Sequence, residues 1–207
     1  MIMVLKSMSL GWLNNMKIGI FGGTFDPIHN GHLIMASFVY EEFKLDKVLL
    51  MPAGNSPLKD GQRPFNQRLE MIKLSIEGDE RISYTTIEDK YQPSYTYNTM
   101  KDLEKLSDDD FYFIMGSDSL EGIKKWYKYE DLLKEFEIIV VNRSGYADNF
   151  QLKKAYSDQA LGIHTVDGPL VEISSSMIRS KVKNNESIRY YVPERVCEYI
   201  EEKQIYR

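Results

Sequence analysis

The chain has 207 residues, enough for one α/β domain with a sizeable core, and its 43% hydrophobic and 28% charged residues are those of a globular rather than a disordered chain. A net charge of −5, with no basic run longer than two lysines, speaks against a nucleic-acid partner. The single Cys197 excludes an internal disulfide framework and a cysteine metal site and fits a reducing cytoplasm, while no apolar run approaches the roughly 18 residues of a membrane span.

Residues 1–15, MIMVLKSMSLGWLNN, carry one lysine, a broken apolar stretch and no small-residue cleavage site, which argues against a secretory signal. They read as an N-terminal extension that need not be ordered, with the folded domain covering 16–207 from MKIGIFGG onward. KIGIFG (17–22) reads as a buried strand, 30 to about 44 as a helix and KVLLMPA (47–53) as a second strand. In 65–78, Leu69, Ile72 and Ile76 recur at helical spacing; 81–88 reads as strand, 95–106 as helix and DFYFIMG (110–116) as a strand of high β propensity. Helix 129–136, strand 137–143, helix 151–159 and a short strand from Ile163 to Val166 follow, then two helices from about Ser175 and Pro193. This alternation predicts an α/β domain with a mostly parallel sheet and helices on both faces. Ligands of such sheets bind beyond the carboxyl ends of the strands, so the chemistry is expected in loops 22–32, 52–59, 116–126 and 173–179.

The first of these loops is the most informative. Gly22 and Gly23 sit where the first strand ends and, lacking side chains, let a ligand approach the backbone. Asp26-Pro27 marks a turn, Asn30 is a suitable N-cap, and His32 falls in the first helical turn, where free N–H groups favour an anion. The local physics is that of a phosphate site. It is neither a G-x-G-x-x-G fingerprint nor a P-loop, since no Gly-Lys-Ser/Thr follows. A glycine turn with incidental histidines, or a metal pair made by His29 and His32, are the competing readings; no nearby carboxylate or cysteine set completes a metal shell.

GGTFDPIHNGH resembles the H-x-G-H motif of the nucleotidyltransferase superfamily. That resemblance implies a Rossmann-like, doubly wound fold, transfer of a nucleotidyl group from a nucleoside triphosphate, and triphosphate contacts from the glycine turn (Gly22, Gly23, Thr24, Phe25) and both histidines. EISSSMIRS (172–180) adds a strand-to-helix junction where Ser174 or Ser175 can cap and Arg179 lies one turn inside. Alone it could be a capped helix with a solvated arginine. It is similar to the family's I-S-S-T-x-I-R motif, with Ser176 in place of the usual threonine and the hydroxyl retained.

Three further segments narrow the substrate. MPAGNSPLKD (51–60) keeps Lys59 but has Leu58 where the family often has histidine; SYTYNT (94–99) resembles an S-Y-T-x-x-T motif; GSDSLEGIKKWYKYEDL (116–132) resembles a G-x-D segment followed by tryptophan. With the ending YYVPERVCEYIEEKQIY, the chain from 16 to 207 resembles the bacterial nicotinate-nucleotide adenylyltransferase family. The resemblance implies transfer of the adenylyl group of ATP to nicotinate mononucleotide, giving deamido-NAD and pyrophosphate. It assigns catalysis to His29, His32 and Arg179. ATP binding falls to those residues with Gly22, Gly23, Thr24, Phe25, Gly116, Asp118, Ser174 and Ser175, and acceptor binding to Lys59, Thr96 and Trp126. Mg²⁺ is expected to ride on the triphosphate rather than in a protein cage, and Asp118 faces either the ribose or the metal. Each residue also has a plainer reading: Lys59 as a solvated loop charge, Thr96 and Thr99 as helix openers, Asp118 as a cap, Trp126 as core. The rival functions are a phosphopantetheine adenylyltransferase, a glycerol-phosphate cytidylyltransferase and a non-catalytic nucleotide sensor. The sequence leaves both a monomer and a homo-oligomer open.

Overall fold

A computed structural model describes residues 15–55, 61–142 and 162–207. The extension 1–14, Leu58, Lys59 and the expected helix 151–159 lie outside the described residues. Six parallel strands form one sheet among the described residues: β1 (Lys17–Gly23), β2 (Lys47–Pro52), β3 (Ile82–Tyr84), β4 (Asp110–Gly116), β5 (Glu137–Asn142) and β6 (Gly162–Asp167), in the order β3-β2-β1-β4-β5-β6. The helices are α1 (Asn30–Glu42), α2 (Phe65–Ser75), α3 (Thr96–Leu106), α4 (Ser117–Glu121), α5 (Tyr129–Glu135), α6 (Ser175–Lys183) and α7 (Glu194–Glu202).

Each strand alternates its side chains between two apolar layers. Val48, Leu50, Ile114 and Ile139 meet α1, α2, α6 and α7 on one face, while Ile18, Leu49, Phe113 and Val140 meet α3, α4 and α5 on the other. Both faces are thus covered, as the alternation of elements predicts. The order reverses between β1 and β4, and the carboxyl ends of these two strands open a crevice that the connections do not cross.

Several details depart from expectation. On α2, Ile72 is fully buried, but the helix stops at Ser75, before Ile76, and its other inward positions are Arg68 and Met71 rather than Leu69. The strand expected over 81–88 ends at Tyr84; the chain then turns through a short 3₁₀ segment, Ile87–Lys90, that drives Ile87 and Glu88 inward. Asn30 is the first residue of α1 rather than its cap, which is His29. The Asn30 amide is used elsewhere: Nδ2 donates to Tyr190 O at 2.7 Å and the backbone N–H to Tyr191 O at 2.9 Å, tying α1 to the segment before α7.

Candidate active site

The end of β1 is shaped by two rings. A Cβ on Gly22 would lie 2.9 Å from the Phe113 ring and one on Gly23 2.9 Å from the Phe25 ring, so only glycine passes here. Phe25 itself holds a left-handed backbone, φ 51°, with its ring buried. For a bulky side chain that conformation is strained. Edge-on packing against Phe21 at 5.8 Å and His32 at 4.9 Å holds it there. The chain then turns through a cis Asp26-Pro27 bond into α1.

His29 and His32 stack with ring centroids 3.6 Å apart, the first buried and the second half-buried. The His29 backbone N–H donates to His32 Nδ1 at 3.3 Å. An Nδ1 that accepts puts the hydrogen of the neutral ring on Nε2.

The second motif closes on the first. Ser174 caps α6, its Oγ accepting from Met177 N–H at 3.2 Å. Ser175 Oγ donates to Pro27 O at 2.8 Å, and Arg179 Nη1 donates to Asp26 O at 2.7 Å. Arg179 Nη2 donates to Ser176 Oγ at 3.1 Å, so the hydroxyl retained in place of threonine is in use. Segments 148 and 153 positions apart are thereby joined at one dipeptide.

Together they border a cleft of about 520 Å³. Gly22, Gly23, Thr24, Phe25, His29 and His32 line one side of it, Ser174, Ser175 and Arg179 another, and Gly116, Asp118 and Trp126 a third. Trp126 packs edge-on against Phe113 at 6.1 Å and lines the cleft, and Asp118, in the first turn of α4, is exposed. Thr96 opens α3 and is not among the cleft-lining residues. Its neighbour in the motif, Thr99, is fully buried and donates to Glu88 Oε1 at 3.0 Å. Lys59 is outside the described residues. Among the described residues no group of three or more His, Cys, Asp or Glu side chains is placed to hold a metal ion.

Sequence reasoning missed three supporting groups. Arg68 is 1% exposed, and its guanidinium donates to Arg63 O at 2.9 Å, Thr24 O at 2.7 Å, Ala53 O at 2.7 Å and Gly54 O at 3.2 Å. It thus holds together the loops that follow β1 and β2. Burial lowers its guanidinium from the ordinary value, with Asp26 the strongest opposing charge. Glu88 accepts from Gly54 N–H at 3.2 Å as well as from Thr99; burial pushes its carboxyl up, against the pull of these donors and Ser94. Asp26 Oδ1 accepts from the Tyr206 hydroxyl at 2.5 Å and Oδ2 from Arg63 N–H at 3.3 Å. Burial and the Asp26 carboxylate hold the Tyr206 phenol far above its ordinary value. The only signal of these roles in the sequence was an arginine on an otherwise apolar helix face.

The chain belongs to the cytidylyltransferase-like family, whose model matches residues 20–181. Its curated relatives carry a more particular name. A protein of Caldicellulosiruptor saccharolyticus, named "Probable nicotinate-nucleotide adenylyltransferase", is 43% identical over 201 residues, covering 93% of this chain and all of that one. A protein of Bacillus licheniformis with the same name is 39% identical over 195 residues, covering 92% of this chain and 98% of its own. Among solved structures, the fold matches that of Plasmodium falciparum nicotinic acid mononucleotide adenylyltransferase complexed with NaAD, with a TM-score of 0.81, 22% identity, and 93% and 98% of the two chains covered.

Proposed function

We propose that the protein is a nicotinate-nucleotide adenylyltransferase, forming deamido-NAD and pyrophosphate from ATP and nicotinate mononucleotide. One observation carries the reading: the paired histidines at the start of α1 and the Ser174-capped start of α6 are joined through Asp26-Pro27 and border one cleft with Trp126.

The nucleophile, a phosphate oxygen of the acceptor, is already ionised near neutral pH, so no general base is needed. It bonds to the α-phosphorus of ATP; the bond from that phosphorus to the bridging oxygen breaks, and the electron pair leaves with pyrophosphate. The protein's task is to hold two polyanions in line and to meet charge growing on the transferring group. His32 Nε2–H, the Arg179 fork and the N–H groups that open α6 are the donors for this. Gly22 and Gly23 leave room for the phosphates. Asp118 is the free cleft carboxylate, since Asp26 is held by Tyr206; a single carboxylate fits Mg²⁺ that arrives on the triphosphate with most of its water. The Mg²⁺ would neutralise phosphate charge. The Trp126 face is assigned to the pyridine ring, and Thr96 and Lys59 to the acceptor. A cytoplasmic setting is part of the proposal, resting on the single Cys197 and on a nucleotide substrate.

The test is formation of deamido-NAD by the purified chain with ATP and nicotinate mononucleotide, and its loss in His32→Ala. A wild-type chain that forms none, or a variant that turns over normally, would refute the proposal.

A further inference from the structure

A second open cleft of about 520 Å³ adjoins the first. The two share Asp26, Gly61, Gln62 and Arg179; the second adds Arg63, Lys183 and Arg207. This gathers four cations in a chain whose net charge is −5. None of the four is in a salt bridge with a described carboxylate. The carboxylate that does line the cleft, Asp26, is engaged by the Tyr206 hydroxyl and the Arg63 N–H.

The cations are also placed, not merely near. Arg63 lies over the Tyr206 ring at 5.2 Å, and that ring is buried. Arg179 is fixed by Asp26 O, and Lys183, one helical turn further along α6, falls on the same face. Arg179 therefore borders both clefts, and a row of positive charge leads away from the nucleotide cleft on the side of Arg179.

We propose that Arg63, Lys183 and Arg207 form a condensed-phosphate site continuous with the nucleotide cleft, which receives the pyrophosphate as it separates from the adenylyl group. The proposal rests on the reaction given above. In that step the electron pair of the broken phosphoanhydride stays on the pyrophosphate, so the leaving group gains charge where Arg179 stands, and the outlying cations take up that charge. The triphosphate tail of ATP has the same chemistry and is the other source of such a ligand.

The experiment is calorimetric titration of magnesium pyrophosphate, and separately of an ATP analogue that resists cleavage between its α- and β-phosphates, into wild type and Arg63→Gln/Lys183→Gln. Loss of charge-assisted contacts should weaken pyrophosphate about tenfold or more. Weakening of pyrophosphate alone supports a site for the product; equal weakening of the analogue supports a site that also holds the ATP tail. Unchanged pyrophosphate affinity in a variant that melts like wild type overturns the site. Should the double variant fail to fold, Lys183→Gln alone, at an exposed position, carries the same test with a smaller expected loss. The titration needs no turnover. A wild type that binds pyrophosphate but makes no deamido-NAD defeats the reaction, whereas an active wild type whose variant binds pyrophosphate normally defeats only the site.

Discussion

The Tyr206 hydroxyl donates to Asp26 Oδ1 at 2.5 Å, with both side chains buried, which anchors residue 206 to the turn that introduces the paired histidines. The same Asp26 offers its carbonyl to Arg179. The turn is therefore held from both sides, and the position of Arg179 depends on it.

Tyr206→Phe removes the hydroxyl and leaves a buried carboxylate oxygen short of a donor. A loss of about 1–3 kcal/mol of stability is expected, with a raised KM for ATP and little change in KM for the acceptor. Chemical denaturation and steady-state kinetics check both; an unchanged stability would show that the contact contributes nothing.

Arg68 should be less forgiving. Its replacement by Met strands the carbonyls of Thr24, Ala53 and Gly54, and a cost of about 3–5 kcal/mol is expected for breaking a buried charged network. Arg68→Lys should not restore it, because one ammonium cannot reproduce a planar fork. Equal melting temperatures for Arg68→Lys and wild type would contradict this.

Glu88 predicts a pH effect. A carboxyl whose pKa is higher folded than unfolded binds more protons in the folded state between the two values, so stability falls as pH rises through that interval. Burial raises Glu88 in this way. Glu88→Gln should therefore be less stabilised by acid than wild type as pH is lowered toward about 4, the unfolded glutamate value. Parallel melting-temperature profiles of the two proteins over this range would show that Glu88 does not titrate as described.

The site was legible in the sequence where chemistry is local. Gly22, Gly23, His29 and His32 fall within one strand-to-helix junction, and Ser174, Ser175 and Arg179 within one helix start, so turn and capping rules reach them. Arg68 was not legible, because its partners are carbonyls of Thr24, Ala53, Gly54 and Arg63, whose meeting is a property of the folded sheet. Tyr206 was hidden for the same reason. Within SYTYNT, composition could not separate Thr96, at the helix start, from Thr99, whose hydroxyl goes to Glu88. The strands are legible nearly to the residue, except β3, an edge strand that ends at Tyr84, before the chain turns Ile87 and Glu88 inward.

His32→Ala should lower kcat by about 10²–10³-fold, the usual loss for one well-placed donor to a developing charge, while the acceptor still binds. Acceptor titration of the variant separates this from misfolding. A kcat within a few-fold of wild type would remove His32 from the catalytic step.

On the proposed function, the Trp126 ring that lines the cleft stacks on the pyridine ring, and a pocket of N–H and O–H donors would suit the nicotinate carboxylate better than an amide, whose NH₂ it would leave unpaired at about 1–3 kcal/mol. The most direct measurement is pyrophosphate release from ATP with nicotinate mononucleotide, nicotinamide mononucleotide, phosphopantetheine and glycerol phosphate as competing acceptors. The kcat/KM for the nicotinate nucleotide should exceed that for the nicotinamide nucleotide at least about tenfold, with the other two acceptors inert. Equal use of the two pyridine nucleotides, or faster release with either of the other phosphates, would contradict it.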